Sequence, residues 1–231
     1  GEMMTPQADQ ALCGSDVIVG YPVYLKLLGG KYREKEFLST PMKQEVRRCE
    51  MCFEEAEKGK TVAMVCSGYG MASLLYEMSE AHPGCELEVI PGITAANSGA
   101  AALGAPLNHD YCVISLSDLM TPWELIEKRL AAAAMGDFCM AIYNPSSHHR
   151  ADYLKKACDI LQKNGVEPER ACGYVENIGR ENTTCEVCTL AELRERQVNM
   201  FTTVFIGNSR TKIIGGKLVT PRGYVLPDPA V

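Results

Sequence analysis

Short apolar runs alternate with longer segments of helical period along the chain. Runs at 16–20, 61–66 and 86–90 read as buried strands. Segments at 21–28, 42–58 and 71–81 carry apolar residues at three- and four-residue spacing and read as helices, the second closed by Gly59. A short helix over 6–13 opens with Thr5 as N-cap and Pro6 as its first residue. Ser67-Gly68-Tyr69-Gly70 forms a Gly-rich turn after the second strand. The third strand meets Pro91-Gly92, and a helix over 93–103 follows, with Thr94 placed to cap it. Gly92 is expected to take a conformation that a Cβ would penalise. Ala95, Ala96, Gly99, Ala100, Ala101 and Ala102 leave one face of that helix almost bare, so a flat or large group could approach its backbone. The chemistry of the chain is expected at this turn.

Gly104-Ala105-Pro106-Leu107-Asn108-His109 is a turn-rich break, and it sets the expected boundary between residues 1–108 and 109–231. Beyond it, strands are expected at 111–116, 138–143, 171–175, 183–188, 202–206 and 217–219. A helix should start at Thr121-Pro122, with Glu124 completing a capping box. Another should run over 151–164, begun by His148, His149 and Arg150 and ended by Gly165, and a last one over 190–196. The order of elements predicts an α/β protein, parallel in its first half and mixed in its second.

Composition narrows the function classes. Of 231 residues, 46% are apolar and 23% charged, a globular balance. The apolar runs are too short to span a bilayer, and no export signal is visible, so a cytoplasmic protein without membrane contact is expected. A net charge of -6 argues against general nucleic-acid binding but leaves room for a local basic pocket. The 11 cysteines read as reduced thiols. Cys49 with Cys52, and Cys185 with Cys188, have CxxC spacing. They fall in a helix and a strand rather than in the loops that a Zn or Fe–S site uses, so no metal site is assigned and the thiols read as small apolar groups.

Several blocks carry a resemblance. They are Val89-Ile90-Pro91-Gly92-Ile93-Thr94-Ala95-Ala96, Gly104 to Asp110, Ile114-Ser115-Leu116-Ser117-Asp118-Leu119-Met120-Thr121-Pro122-Trp123 and Tyr143-Asn144-Pro145-Ser146-Ser147. Phe201 to Ser209, Gly215-Gly216-Lys217 and Thr220 to Tyr224 complete the set. Together they resemble the tetrapyrrole methyltransferases, and within them the enzymes that methylate C17 in cobalamin biosynthesis. The resemblance implies two α/β domains with an active-site cleft between them, usually in a homodimer. It implies S-adenosylmethionine as cofactor, held largely by backbone groups. It also implies methylation of precorrin-3B or cobalt-precorrin-3 (cobalt-factor III) with associated ring contraction. Another precorrin methyltransferase and a non-catalytic metal or redox module built on the CxxC pairs are the alternatives. Two family features are shorter here: the strand and Gly-rich loop ahead of Thr5, and about four residues of the loop at Ser67-Gly68. Both segments are expected to exist in the intact protein.

The resemblance maps the cofactor onto Gly68, Thr94, Ala95, Asn144, Asn177 and Thr202. Methyl transfer to a conjugated ring needs position more than a strong base. Ring contraction does need a proton acceptor or donor, for which Asp118 and then His109 are the candidates; helix capping and an ordinary hydrogen bond are their structural alternatives. A substrate with many carboxylates needs local cations, and Arg150, Arg180, Arg210 and Arg222 are the candidates.

Overall fold

The computed structural model describes residues 4–147 and 150–225. By contacts the chain divides into two units, at Ile93 and Thr94.

The first unit comprises α1 (Pro6–Gly14), β1 (Val17–Gly20), α2 (Pro22–Leu27), β2 (Glu36–Ser39), α3 (Glu45–Ala56), β3 (Val62–Val65) and α4 (Tyr69–Ser79). Thr5 caps α1 as its sequence predicts, accepting from the Ala8 N–H. The strands form a parallel sheet in the order β2-β1-β3, with β1 buried at the centre. β2 was not legible in the sequence because it is short and mostly exposed. Residues 86–90 do not form the expected strand. A strand exists only through its ladder, and this segment pairs with no other strand among the described residues. Gly92 has no positive φ, and a Cβ there would meet nothing within 4 Å, so the expected need for glycine is not borne out.

The second unit comprises α5 (Ala95–Leu103), β4 (Gly104–Ala105), β5 (Tyr111–Ser115), α6 (Trp123–Met135), β6 (Cys139–Tyr143), α7 (Tyr153–Lys163), β7 (Ala171–Glu176), β8 (Thr184–Thr189), α8 (Leu190–Arg194), β9 (Thr202–Ile206), β10 (Lys212–Ile214) and β11 (Lys217–Val219). Five strands form a mixed sheet in the order β5-β6-β9-β7-β8. β5 and β6 run parallel; β9 is antiparallel to both of its neighbours, β6 and β7. Leu130, Leu154, Leu161 and Leu193 from α6, α7 and α8 cover one face of this sheet. Ala96, Ala100 and Leu103 of α5 cover the other, against Ala141, Val175 and Phe205.

That packing assigns α5 to the second unit and places the turn at 104–108 inside it. β4 pairs with β11, and Thr220 Oγ1 donates to the Pro106 carbonyl at 2.6 Å. The bare face of α5 is filled by the protein itself. A Cβ on Gly99 would lie 2.7 Å from the Phe205 ring and 2.9 Å from Ile178 Cδ1. α6 starts at Trp123 with Pro122 as N-cap, too late for Thr121 to close a capping box with Glu124. The box that does form joins Thr189 and Glu192 on α8. Of the expected start of α7, His148 and His149 lie outside the described residues, and Arg150 precedes the helix.

Gly99→Val should force α5 off β9 and lower unfolding stability by about 1–3 kcal/mol. Chemical denaturation measures it, and an unchanged midpoint would mean that the close approach is not needed.

Candidate active site

One end of the five-stranded sheet gathers most of the expected cofactor residues. Ser115 of β5 pairs with Tyr143 of β6, and Leu116 N donates to the Tyr143 carbonyl at 2.9 Å. Ile142 lies opposite Val204, so two residues further along the register Asn144 comes beside Thr202, the first residue of β9. Thr202 lies opposite Glu176, and Asn177 N donates to the Phe201 carbonyl at 3.1 Å. Asn144 and Asn177 therefore flank Thr202. Both have left-handed backbones, with φ of 52° and 55°, a conformation that asparagine tolerates and that concentrates at functional sites.

The N-terminus of α5 reaches the same place. Ala96 N donates to the Tyr143 hydroxyl at 2.9 Å, while Asn97 N donates to Thr94 Oγ1 at 3.3 Å. Thr94 and Ala95 are thus held beside Asn144 by the tyrosine that ends β6. Tyr143 escaped the sequence reading, because nothing in the sequence distinguishes a tyrosine that caps a distant helix from one that ends a strand. The hydroxyls of Thr94 and Thr202 are engaged internally, that of Thr202 with Asn199 at 3.3 Å. Backbone groups are partly used as well: Ala96 N and Asn97 N are bonded as above, the Asn177 carbonyl accepts from Arg180 N and Thr183 Oγ1, and Asn177 N donates to the Phe201 carbonyl, which leaves the main chain at Thr94, Ala95 and Asn144 as what the cluster can offer a ligand. Asn144 Nδ2 donates to Ser115 Oγ at 2.9 Å, and its side chain is exposed. Gly68 belongs to the first unit, as the N-cap of α4, in open space.

Asp118 and Arg150 meet on the loops that follow β5 and β6. Arg150 Nε lies 3.2 Å from Asp118 Oδ1, Arg150 Nη1 donates to Ser117 Oγ at 3.2 Å, and the Tyr153 hydroxyl donates to Asp118 Oδ2 at 2.6 Å. Asp118 does not cap α6. The Tyr153 hydrogen bond, with Arg150 and Lys156 nearby, holds its carboxyl below the usual aspartate value. Asp118 is therefore ionised at neutral pH and a weak proton acceptor. Tyr153 was also missed in the sequence, since it reads only as a residue of an amphipathic helix.

His109, Arg210 and Arg222 lie at the opposite end of the sheet. His109 precedes β5 and donates from Nε2 to the Pro221 carbonyl at 3.0 Å. Arg210 follows β9, with Nη1 3.6 Å from where a Cβ on Gly223 would stand. Arg180 stays at the first end, where its guanidinium lies 4.6 Å from the centre of the Phe201 ring. It has no acidic partner among the described residues. The open cavity of ≈ 420 Å³ beside the C-terminal end of α5 is lined by small and apolar residues with Asn97 and Asn108, and no charged group faces it.

The CxxC pairs do not assemble a metal centre. Cys49 and Cys52 are buried in α3, where burial pushes their thiols up to about 11 and about 12. Cys185 and Cys188 point to opposite faces of the sheet: Cys185 Sγ donates to the Ala102 carbonyl, and Cys188 packs in the core under α6–α8. No group of three or more metal-ligating side chains occurs among the described residues. No helix among them is long and apolar enough to cross a membrane.

Residues 1–194 match the family of Tetrapyrrole (Corrin/Porphyrin) Methylases. The chain belongs to that family. It is 44% identical over 232 residues to a cobalt-factor III methyltransferase of Priestia megaterium, a match that covers 96% of this chain and 43% of that protein. It is 40% identical to a probable cobalt-factor III C(17)-methyltransferase of Salmonella typhimurium, covering 97% of this chain and 95% of that one. The crystal structure of the methyltransferase CobJ superposes with a TM-score of 0.86 at 37% identity, covering 95% and 94% of the two chains. The family membership agrees with the expected fold class, and the metal or redox module is not favoured.

Tyr153→Phe tests the Asp118 contact through pH. The native carboxyl titrates below its unfolded value, so the contact adds stability that is whole above the ordinary aspartate pKa of about 4 and is lost as pH falls through the depressed native value. The variant should unfold more easily than the wild type at pH 7, with the gap narrowing in acid. A gap constant across an acid titration would contradict this account.

Proposed function

We propose that the protein transfers a methyl group from S-adenosylmethionine to C17 of cobalt-factor III, with associated ring contraction, in cobalamin biosynthesis. The observation that carries the reading is the identity to the Salmonella relative, which spans nearly the whole of both chains. Precorrin-3B, the metal-free counterpart, is the other substrate within the same reading.

The site suits a cofactor held by backbone. The left-handed Asn144 at the end of β6 and the Thr94-Ala95 start of α5 are brought together by Tyr143, and the nearby Thr202 hydroxyl is already used, so backbone at Thr94, Ala95 and Asn144 supports this reading. The chemistry supplied there by bound S-adenosylmethionine is an electrophilic methyl on a sulfonium. Thr94, Ala95, Asn144, Asn177 and Thr202 fix the position of that methyl, and position provides much of the rate when the ring carbon is itself nucleophilic. Arg180 takes a carboxylate of the macrocycle rim, because its charge is unpaired and its planar fork suits bidentate pairing. Asp118 contributes a fixed negative charge rather than a mobile proton. The reading includes a homodimer, which light scattering checks at twice the 25.3 kDa chain mass.

Two measurements test it. Anaerobic incubation with S-adenosylmethionine and cobalt-factor III, in parallel with precorrin-3B, should add the mass of one methyl to one substrate, at C17 by NMR. Methylation at another ring position would move the assignment to a different precorrin methyltransferase, and no methyl on either would reject it. Asn144→Ala should weaken S-adenosylhomocysteine binding by about tenfold in calorimetry, since alanine resists the left-handed backbone by about 1–2 kcal/mol. Unchanged affinity would remove Asn144 from the cofactor site.

A further inference from the structure

The loop between β5 and α6 has two unusual properties together. Its Asp118 is held on both oxygens, by Arg150 and by Tyr153. Arg150 is itself tied to Ser117, so the clasp secures two consecutive residues of the loop to the chain just before α7. Tyr153 is fixed in turn: its ring lies 4.5 Å from that of Trp123, with Lys156 Nζ 4.9 Å from its centre on the same helix. The ion pair is partly shielded, with side-chain exposures of 15% for Arg150 and 32% for Asp118. The two residues that follow this anchor, Leu119 and Met120, are 68% and 95% exposed.

Two adjacent large apolar side chains held in water on a secured loop serve packing poorly, and exposed apolar groups of this kind mark a binding surface. The loop leaves the end of the sheet that carries Asn144 and Thr202, where the cation of Arg180 is unpaired. An apolar contact at one side of this sheet end and a free guanidinium beyond β7, with β6 and β9 between them, match a broad flat conjugated ring with a carboxylate rim.

We propose that Leu119 and Met120 form the apolar contact for the face of the macrocycle, and that Tyr153 and Arg150 are positioning residues that hold it there through Asp118. This rests on the tetrapyrrole substrate of the proposed function and adds to it the residues that read the ring. The ion pair of Arg150 is then part of the loop's anchor, so Arg150 is not a carboxylate receptor for the substrate.

The test is steady-state kinetics with cobalt-factor III, alongside calorimetry with S-adenosylhomocysteine. Met120→Ser and Leu119→Ser should each raise KM for the tetrapyrrole by about tenfold, the loss of one apolar contact, with S-adenosylhomocysteine affinity unchanged. Both positions are exposed, so folding should be unaffected, which a thermal melt confirms. Tyr153→Phe should raise KM in the same direction, and adding Met120→Ser to it should cost less than the sum of the two, because both act through one contact. Unchanged KM in both serine variants would overturn the proposal, and fully additive effects of Tyr153→Phe and Met120→Ser would overturn the positioning role. A wild type that methylates neither tetrapyrrole would instead defeat the proposed function, and that result is read before any variant is made.

Discussion

β9 is buried along its whole length and hydrogen-bonded on both edges, to β6 and to β7. A buried strand has no water to satisfy its backbone, so both ladders must form. Once they do, the register follows. Asn144 at the end of β6 and Asn177 at the end of β7 are brought to either side of Thr202, although they are far apart in sequence. Phe205 on the same strand then needs the missing Cβ of Gly99, which seats α5 on the sheet. Seating α5 brings Ala96 N to the Tyr143 hydroxyl and so places Thr94 and Ala95 in the candidate site. The arrangement of candidate ligands is therefore a consequence of how one antiparallel strand is satisfied.

The small residues of α5 show how one sequence feature can have two readings. A bare helix face invites close approach, and the approach that occurs is internal. Ala96, Gly99 and Ala100 admit Phe205 and Ile178, and so position the helix. In the proposed site the end of the helix that counts is its start at Thr94 and Ala95, because the next two N–H groups are taken by Tyr143 and Thr94. Small residues set the distance between helix and sheet, and the proposed cofactor contact lies at the helix start instead.

Local signals carried most of the elements. Pro6 after Thr5 and Thr94 before Ala95 announced helix starts correctly, because a cap acts within three residues of itself. Thr121-Pro122 misled because the local pattern also fits a start one residue later. The run at 86–90 has strand composition, but pairing is non-local and its partner cannot be read from the run itself. The same limit hid Tyr143 and Tyr153, whose roles depend on residues 47 and 35 positions away. Asn144, Asn177 and Thr202 could be named only through resemblance, since an asparagine before a proline and a threonine in a strand are common in any α/β protein.

Charge at the site is decided by pairing rather than by composition. The chain carries a net charge of -6, so its long-range field repels a polycarboxylate. If the proposed tetrapyrrole is the substrate, its attraction rests on a cation that the fold leaves unneutralised near the proposed site. Arg170, Arg194 and Arg196 are each committed to neighbouring carboxylates, and Arg150 is committed to Asp118. Arg210 and Arg222 stand at the far end of the sheet. Arg180 rests on an aromatic ring, which orients the guanidinium without cancelling its charge. Of the four arginines that the sequence made equal candidates, Arg180 alone is both without an acidic partner among the described residues and at the sheet end of Asn177, which is why the proposed carboxylate contact is assigned to it.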